Sequence, residues 1–310
     1  MTPDPKPLAG RVAVVAGATR GAGRGIASTL GEAGATVYCT GRSTRAHPPV
    51  DGTYAGRPET IDETAEMVTA RGGAGIAVRV DHLVPEQVEA LFARVRADQG
   101  RLDVLVNDIS EGEIHDWKPF WELSLDLGFR ALRQGIHSHI ITSRYAAPLM
   151  IERGRGLIVE VGDGDTLGYR QTLFFDLVKI TVSRLAYAMA EELAPHGVAA
   201  LAISPGFMRT EMMLEHFGVT EANWRDGVKK DPNFIASETP CFVGRAVAAL
   251  AGDPAVQKKS GGLYSSWGLA KEYGFTDLDG SRPDMGAQFD FEAYFAQSAR
   301  TPFHWRVVRR

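Results

Sequence analysis

Apolar residues along this chain follow two rhythms. The runs RVAVVAG, ATVYCT, GIAVRV, LDVLVN, GLIVEV and VAALAIS are short, compact and rich in Val, Ala and Ile. That is the pattern of strands covered on both faces. Between them come longer, helix-spaced runs: GRGIASTLGEAG, ETIDETAEMVTARG, PEQVEALFARVRADQG, a long stretch ending ITSRYAAPLMIERG, and the run that begins FFDLVK. Several of these stop at Gly, the residue that best adopts a left-handed C-terminal stop. Strand and helix alternate regularly enough to predict an α/β protein with a doubly wound parallel sheet flanked by helices. LYSSW near residue 265 is the candidate seventh strand.

Three segments break the rhythm. Ser43 to Pro58 is a polar loop marked by Gly and Pro. Residues 211–238 interrupt the pattern before the helix of TPCFVGRAVAALAGD and are expected to form a lid over a pocket. From Lys271 the chain is rich in aromatics: Tyr273, Phe275, Phe289, Phe291, Tyr294, Phe295, Phe303 and Trp305. A solvated tail has little use for so many, so this arm is expected to pack on its own domain or on a neighbouring subunit. The expected organisation is one domain over residues 1–270, carrying the lid, and an aromatic-rich arm over 271–310.

Composition narrows the function classes. A net charge of −4 over 310 residues gives no general surface for nucleic acid. The apolar runs fall far short of the roughly 20 residues that span a bilayer, and the start MTPDPKPLAG has no apolar core of a signal peptide. The two cysteines, Cys39 and Cys241, lack metal spacing. They are expected to be reduced, packed side chains in a cytoplasmic protein without a metal site.

The first strand runs into AGATRGAGRGIA, where Gly17, Gly21 and Gly23 frame Thr19 and Arg20. Glycines in a turn between a first strand and a helix let the backbone approach a pyrophosphate, and the helix N-terminus supplies unpaired N–H groups and a positive dipole end. The second strand ends CTGRS. A carboxylate there would bind the ribose 2′-OH of NAD; Arg42 stands there instead, suited to a 2′-phosphate. Arg20 and Arg45 are possible helpers. The expected cofactor is NADP(H).

With these motifs in order, residues 9 to 268 resemble the short-chain dehydrogenase/reductase family. GATRGAG matches its TGxxxGxG, with Ala16 for the usual Thr; VDH carries Asp81 at the adenine-contacting Asp. LDVLVNDIS matches LDVLVNNAG, keeping Asn107 but altering Asp108, Ile109 and Ser110, and ISPGFMRTEM supplies Pro205, Gly206 and Thr210 where the family holds the nicotinamide carboxamide. The resemblance implies a Rossmann-type domain, a homodimer or homotetramer, and a small-molecule substrate. It also implies an Asn–Ser–Tyr–Lys set, of which this chain keeps Lys179. Tyr falls on Phe175, Ser on Asp163 (or Gly162 with a one-residue gap), and Asn on Gly135, beside Gln134.

Phe cannot donate a proton, and losing a positioned general acid costs about 10²–10⁴ in rate. Tyr169, six residues upstream in the loop before the helix, is the first stand-in. Asp163 is the second, more apt as a carboxylate that holds a cation or pairs with Lys179. Asp165, His137 and His139 follow, and Asp176 is expected to flank the helix start. The function these features imply is an NADPH-dependent oxidoreductase that delivers hydride to an imine or iminium, an enone or a carbonyl. The alternative is a chain that binds NADP without turnover, as a sensor or scaffold, or as a trapped-complex form made by a Tyr-to-Phe change.

Overall fold

The computed structural model describes residues 6–50, 54–110, 118–170 and 172–289. Seven parallel strands form one sheet: β1 (Val12–Ala16), β2 (Thr36–Gly41), β3 (Ala74–Arg79), β4 (Val104–Asn107), β5 (Gly156–Val161), β6 (Val198–Ser204) and β7 (Leu263–Ser265), in the order β3-β2-β1-β4-β5-β6-β7. The helices are α1 (Gly21–Glu32), α2 (Ile61–Ala70), α3 (Pro85–Gln99), α4 (Leu125–Leu132), α5 (Ser138–Ile151), α6 (Leu173–Leu193), α7 (Glu211–Phe217), α8 (Pro240–Gly252), α9 (Ser266–Tyr273) and α10 (Met285–Gln288).

Side chains alternate across each strand, so one strand feeds two cores. Ala13 and Val15 of β1 join Ile26 and Leu30 of α1 and Val243, Val247 and Leu250 of α8 on one face. Val12 and Val14 meet Val88, Leu91 and Phe92 of α3 and Met150 of α5 on the other. Full burial of each such Val or Leu contributes about 1.5–3 kcal/mol. The first face is drawn tight by small residues: a Cβ on Gly25 or Gly244 would collide with the facing helix, α8 or α1.

Strand order reverses between β1 and β4, and a crevice opens there beyond the C-terminal strand ends. This is the doubly wound sheet that the hydrophobic rhythm predicts. Three details differ. β3 is a partly exposed edge strand rather than a buried one, because only β2 pairs with it. The strand in LYSSW ends at Ser265, and Ser266 and Trp267 open α9, capped by the Ser265 hydroxyl accepting from Gly268 N–H. The long stretch before β5 is broken by a π-helical turn at Arg133–His137 between α4 and α5.

The segment 211–238 folds around its own apolar cluster of Phe217, Trp224 and Phe234. Its two ends are stapled by backbone bonds, Arg209 N–H to Glu238 O at 2.8 Å and Glu238 N–H to Phe207 O at 2.9 Å. α9 runs straight across residue 270, so no structural break separates domain from arm there. Tyr273 and Phe275 pack on the domain core; Phe291, Tyr294, Phe295, Phe303 and Trp305 lie outside the described residues.

Candidate functional site

A cleft of about 1130 Å³ opens at the crevice. Its floor is the turn after β1. Gly17 has φ +93°, and a Cβ there would collide with the Asp108 carbonyl oxygen, so only glycine lets the β1 and β4 ends close up. Gly17, Thr19, Arg20, Gly21, Arg42, Asp81, Lys179, Pro205, Gly206 and Thr210 all line the cleft. Gly23 sits behind them in the first turn of α1. The lid reaches this floor, where Gly21 N–H donates to Glu211 Oε2 at 2.9 Å.

At the β2–β3 end the residues suit a phosphate. Arg20 Nε bonds Glu59 at 3.3 Å and its guanidinium lies over Tyr54, 4.1 Å from the ring centroid. Its Nη2 is buried without a hydrogen-bond partner among the described residues. Arg42 is exposed and lines the cleft, and Arg79 Nε donates to its carbonyl at 3.2 Å. Neither Arg42 nor Arg79 makes an ion pair among the described residues. Arg45 is turned away, held by Glu66 through two bonds of 2.5 and 2.6 Å. An orphaned buried donor, two guanidiniums without an ion pair among the described residues and a glycine floor suit a phosphate-bearing ligand.

At the α6 end, Phe175 and Lys179 stack on one helix face with the ammonium 5.6 Å from the ring centroid. Asp163 and Gln134 line the cleft beside them. Gln134 belongs to the π turn and faces the cleft, whereas Gly135 is packed under Val178. The β5–α6 loop is pinned by Arg170, whose buried guanidinium donates to the carbonyls of Asp163, Gly164, Thr166 and Gly168. Asp176 accepts from Arg170 N–H at 2.8 Å and flanks the start of α6 as expected; burial pushes its pKa up.

Several expected residues stand elsewhere. Tyr169 is 52% exposed and does not line the cleft, because the Arg170 clasp turns the loop and leaves the phenol on its outer side. Asp165 is likewise off the cleft. His137 is exposed and His139 buried, and neither lines it. Asn107 is fully buried behind the wall, donating to Ser143 Oγ at 3.0 Å and Glu160 Oε1 at 2.7 Å. It braces β4 against β5 and α5.

That brace belongs to a network the sequence reading missed. His139 Nδ1 meets Glu160 Oε2 at 2.6 Å and its Nε2 meets Ile109 O at 3.0 Å. Two acceptors require both ring nitrogens to donate, as in imidazolium. Burial opposes that charge, but Glu160 and the Ile109 carbonyl outweigh it and raise the pKa above the ordinary value. The clue was a Glu inside GLIVEV, since a carboxylate in a covered strand needs a partner. Asp108 and Arg79, both in the cleft wall, were missed as well. Both Cys39 and Cys241 are buried and free, and burial pushes the Cys39 thiol up to about 12. No helix among the described residues is long and apolar enough to cross a membrane.

Comparison with known proteins agrees with this architecture. Residues 11–217 match a family described as short chain dehydrogenase. The chain is 37% identical over 281 residues to dehydrogenase/reductase SDR family member 1 of Mus musculus, covering 88% of this chain and 85% of that protein. The Homo sapiens protein of the same name gives the same identity and coverage. Among solved structures, a short chain dehydrogenase from Mycobacterium thermoresistibile superposes with a TM-score of 0.73 at 22% identity, covering 90% of this chain and 92% of that one.

Proposed function

The chain belongs to the short-chain dehydrogenase/reductase family, an oxidoreductase family that generally uses a nicotinamide cofactor, and from that premise we propose that it is an NADPH-dependent reductase of a substrate that needs little acid assistance. The observation that carries the reading is the contrast inside one cleft. Arg42 and Arg79, without ion pairs among the described residues, stand at one end with the orphaned Arg20 Nη2, and Lys179 sits against Phe175 rather than a phenol at the other.

A bound nicotinamide would supply the hydride. The chain's own residues bind and orient. Arg42, Arg79 and Arg20 take the 2′-phosphate as charge-assisted pairs. The glycine turn and Thr19 would cradle the pyrophosphate, Asp81 would contact the adenine, and Pro205, Gly206 and Thr210 would hold the nicotinamide. Lys179 holds the nicotinamide ribose. Phe175 occupies the family's Tyr position, so no phenol protonates the acceptor. A protonated imine already carries its proton, and an enone takes hydride at carbon and is protonated later by solvent. Asp163, which lines the cleft, would hold the cationic form of an iminium. The reading keeps a homodimer or homotetramer in the cytoplasm.

The test is NADPH oxidation across a panel of imines, enones and ketones. Turnover with imines or enones well above ketones supports the proposal; silence across all classes overturns it. A second reading, an NADP-binding sensor or scaffold without turnover, is favoured by one observation. The hydroxyl-bearing described residues lining the cleft are Thr19, Ser43, Tyr54, Ser110, Thr166 and Thr210, and none of them lies on α6 beside Lys179. NADPH binding without any turnover selects it.

A further inference from the structure

We propose that Asp108 binds the dinucleotide as the neutral acid, so that coenzyme binding carries one proton into the glycine turn. This rests on the reading that the cleft takes a dinucleotide. β4 ends at Asn107, and the Asp108 N–H is fixed to Ala16 O at 2.9 Å. Its side chain is therefore held at the junction of the two strand ends, and it lines the cleft. Asp108 Oδ2 lies 3.0 Å from where a Cβ on Gly23 would stand, so the carboxyl fronts the first turn of α1, where the glycine turn receives a pyrophosphate.

The groups that face it come from three helices. α1 presents the Gly23 N–H, α6 presents Lys179, and α5 presents His139. None of them forms an ion pair with it among the described residues. Lys179 is stacked on Phe175, and both nitrogens of His139 are taken by Glu160 and Ile109 O. Asp108 is half-buried in the cleft wall, and desolvation there outweighs the pull of Lys179, Gly23 N–H and His139 and pushes its carboxyl up to about 7. A pyrophosphate arriving at the same turn adds negative charge beside it, which favours the protonated form further. An anionic Asp108 would repel the phosphates, whereas a neutral one can donate its O–H toward them. The family pattern LVNNAG has Asn at this place, which carries a donor without a titration.

By linkage, the proton taken up on binding equals the fall in log affinity per pH unit. Below about pH 6 the carboxyl is already protonated and binding exchanges little. Between about pH 7 and 9 uptake should approach one proton and NADPH affinity should fall up to tenfold per unit. Calorimetric titration in two buffers of different ionisation heat reads the proton count directly, independently of turnover. NADH, which lacks the titratable 2′-phosphate, is run in parallel so that uptake by that group is subtracted. Asp108→Asn, close to isosteric, should bind NADPH with a pH-flat affinity and no uptake. Wild type that binds NADPH without taking up a proton across this range overturns the inference and leaves the cofactor reading standing, as does an Asn variant that keeps the uptake. Absence of binding at every pH, with the fold intact by circular dichroism, overturns both.

Discussion

At the β2–β3 end of the cleft, positive charge is left unspent: Arg42 and Arg79 make no ion pair among the described residues and Arg20 Nη2 is a buried orphan. At the α6 end the cations are committed and the phenol is absent. Lys179 rests on an aromatic ring, Arg170 spends its guanidinium on four carbonyls, and the position four residues before Lys179 is Phe175. An unpaired guanidinium keeps its full electrostatic value for an incoming ligand, while one clasped by backbone serves to hold a loop. The first end is therefore prepared to bind, and the second to shape a pocket with little proton chemistry of its own.

The sharpest way to break this contrast is Phe175→Tyr. If the missing phenol limits ketone reduction, the variant should gain about 10²–10⁴ in kcat/KM for ketones; no gain would mean that Asp163 and Gln134 have remade the site. Removing the charge at the other end should act on binding. Arg42→Ala with Arg79→Ala should weaken NADPH by about 10²-fold, as expected for losing charge-assisted bonds worth about 1.5–3 kcal/mol each before coupling. NADH affinity should change little, and fluorescence titration of both coenzymes measures the difference. Arg170→Lys cannot reproduce the forked clasp and should cost about 1–2 kcal/mol in urea unfolding while raising KM. Loop rigidity at the α6 end is then separable from coenzyme binding.

The smallest expected effect is a pH slope. Burial raises Asp108 and Glu238, and Glu160 with the Ile109 carbonyl raises His139 against burial; Glu238 is pushed up to about 8 and Asp108 to about 7. A folded pKa above the unfolded one gives stability that is fully present below the unfolded value and lost as pH rises through the folded one. All three groups share this sign, and the loss runs from each group's ordinary pKa up to its folded one, so the thermal midpoint should fall as pH rises from about 4 to about 8. Glu238→Gln keeps an oxygen for the Gly206 N–H and the Ser266 hydroxyl and should remove its share of that fall, which ends near pH 8.

The two ends were unequally legible in the sequence. Val- and Ala-rich strands, the glycine turn and Arg42 are local signals, because backbone conformation and strand-end position follow from nearby residues. The seven-strand sheet follows from them, and ten of the twelve residues expected at the cofactor line the cleft. Of the other two, Gly23 sits behind the glycine turn and Asn107 is drawn into a buried network with Glu160 and Ser143, from residues 53 and 36 positions away. Tyr169 failed for a similar reason: the neighbouring Arg170 folds the loop, which no periodicity records. The π turn that faces Gln134 rather than Gly135 into the cleft is a one-residue shift within a continuous helical pattern. Long-range polar partners and small shifts of helical phase lie beyond what spacing along a chain can express.

Parallel titration of the purified protein with NADPH and NADH tests the central claim most directly. The account predicts that NADPH binds about 10²-fold more tightly than NADH, a difference of about 2.7 kcal/mol, and that the preference disappears in the Arg42→Ala, Arg79→Ala variant. Equal affinity for the two coenzymes, or binding of neither, would contradict it.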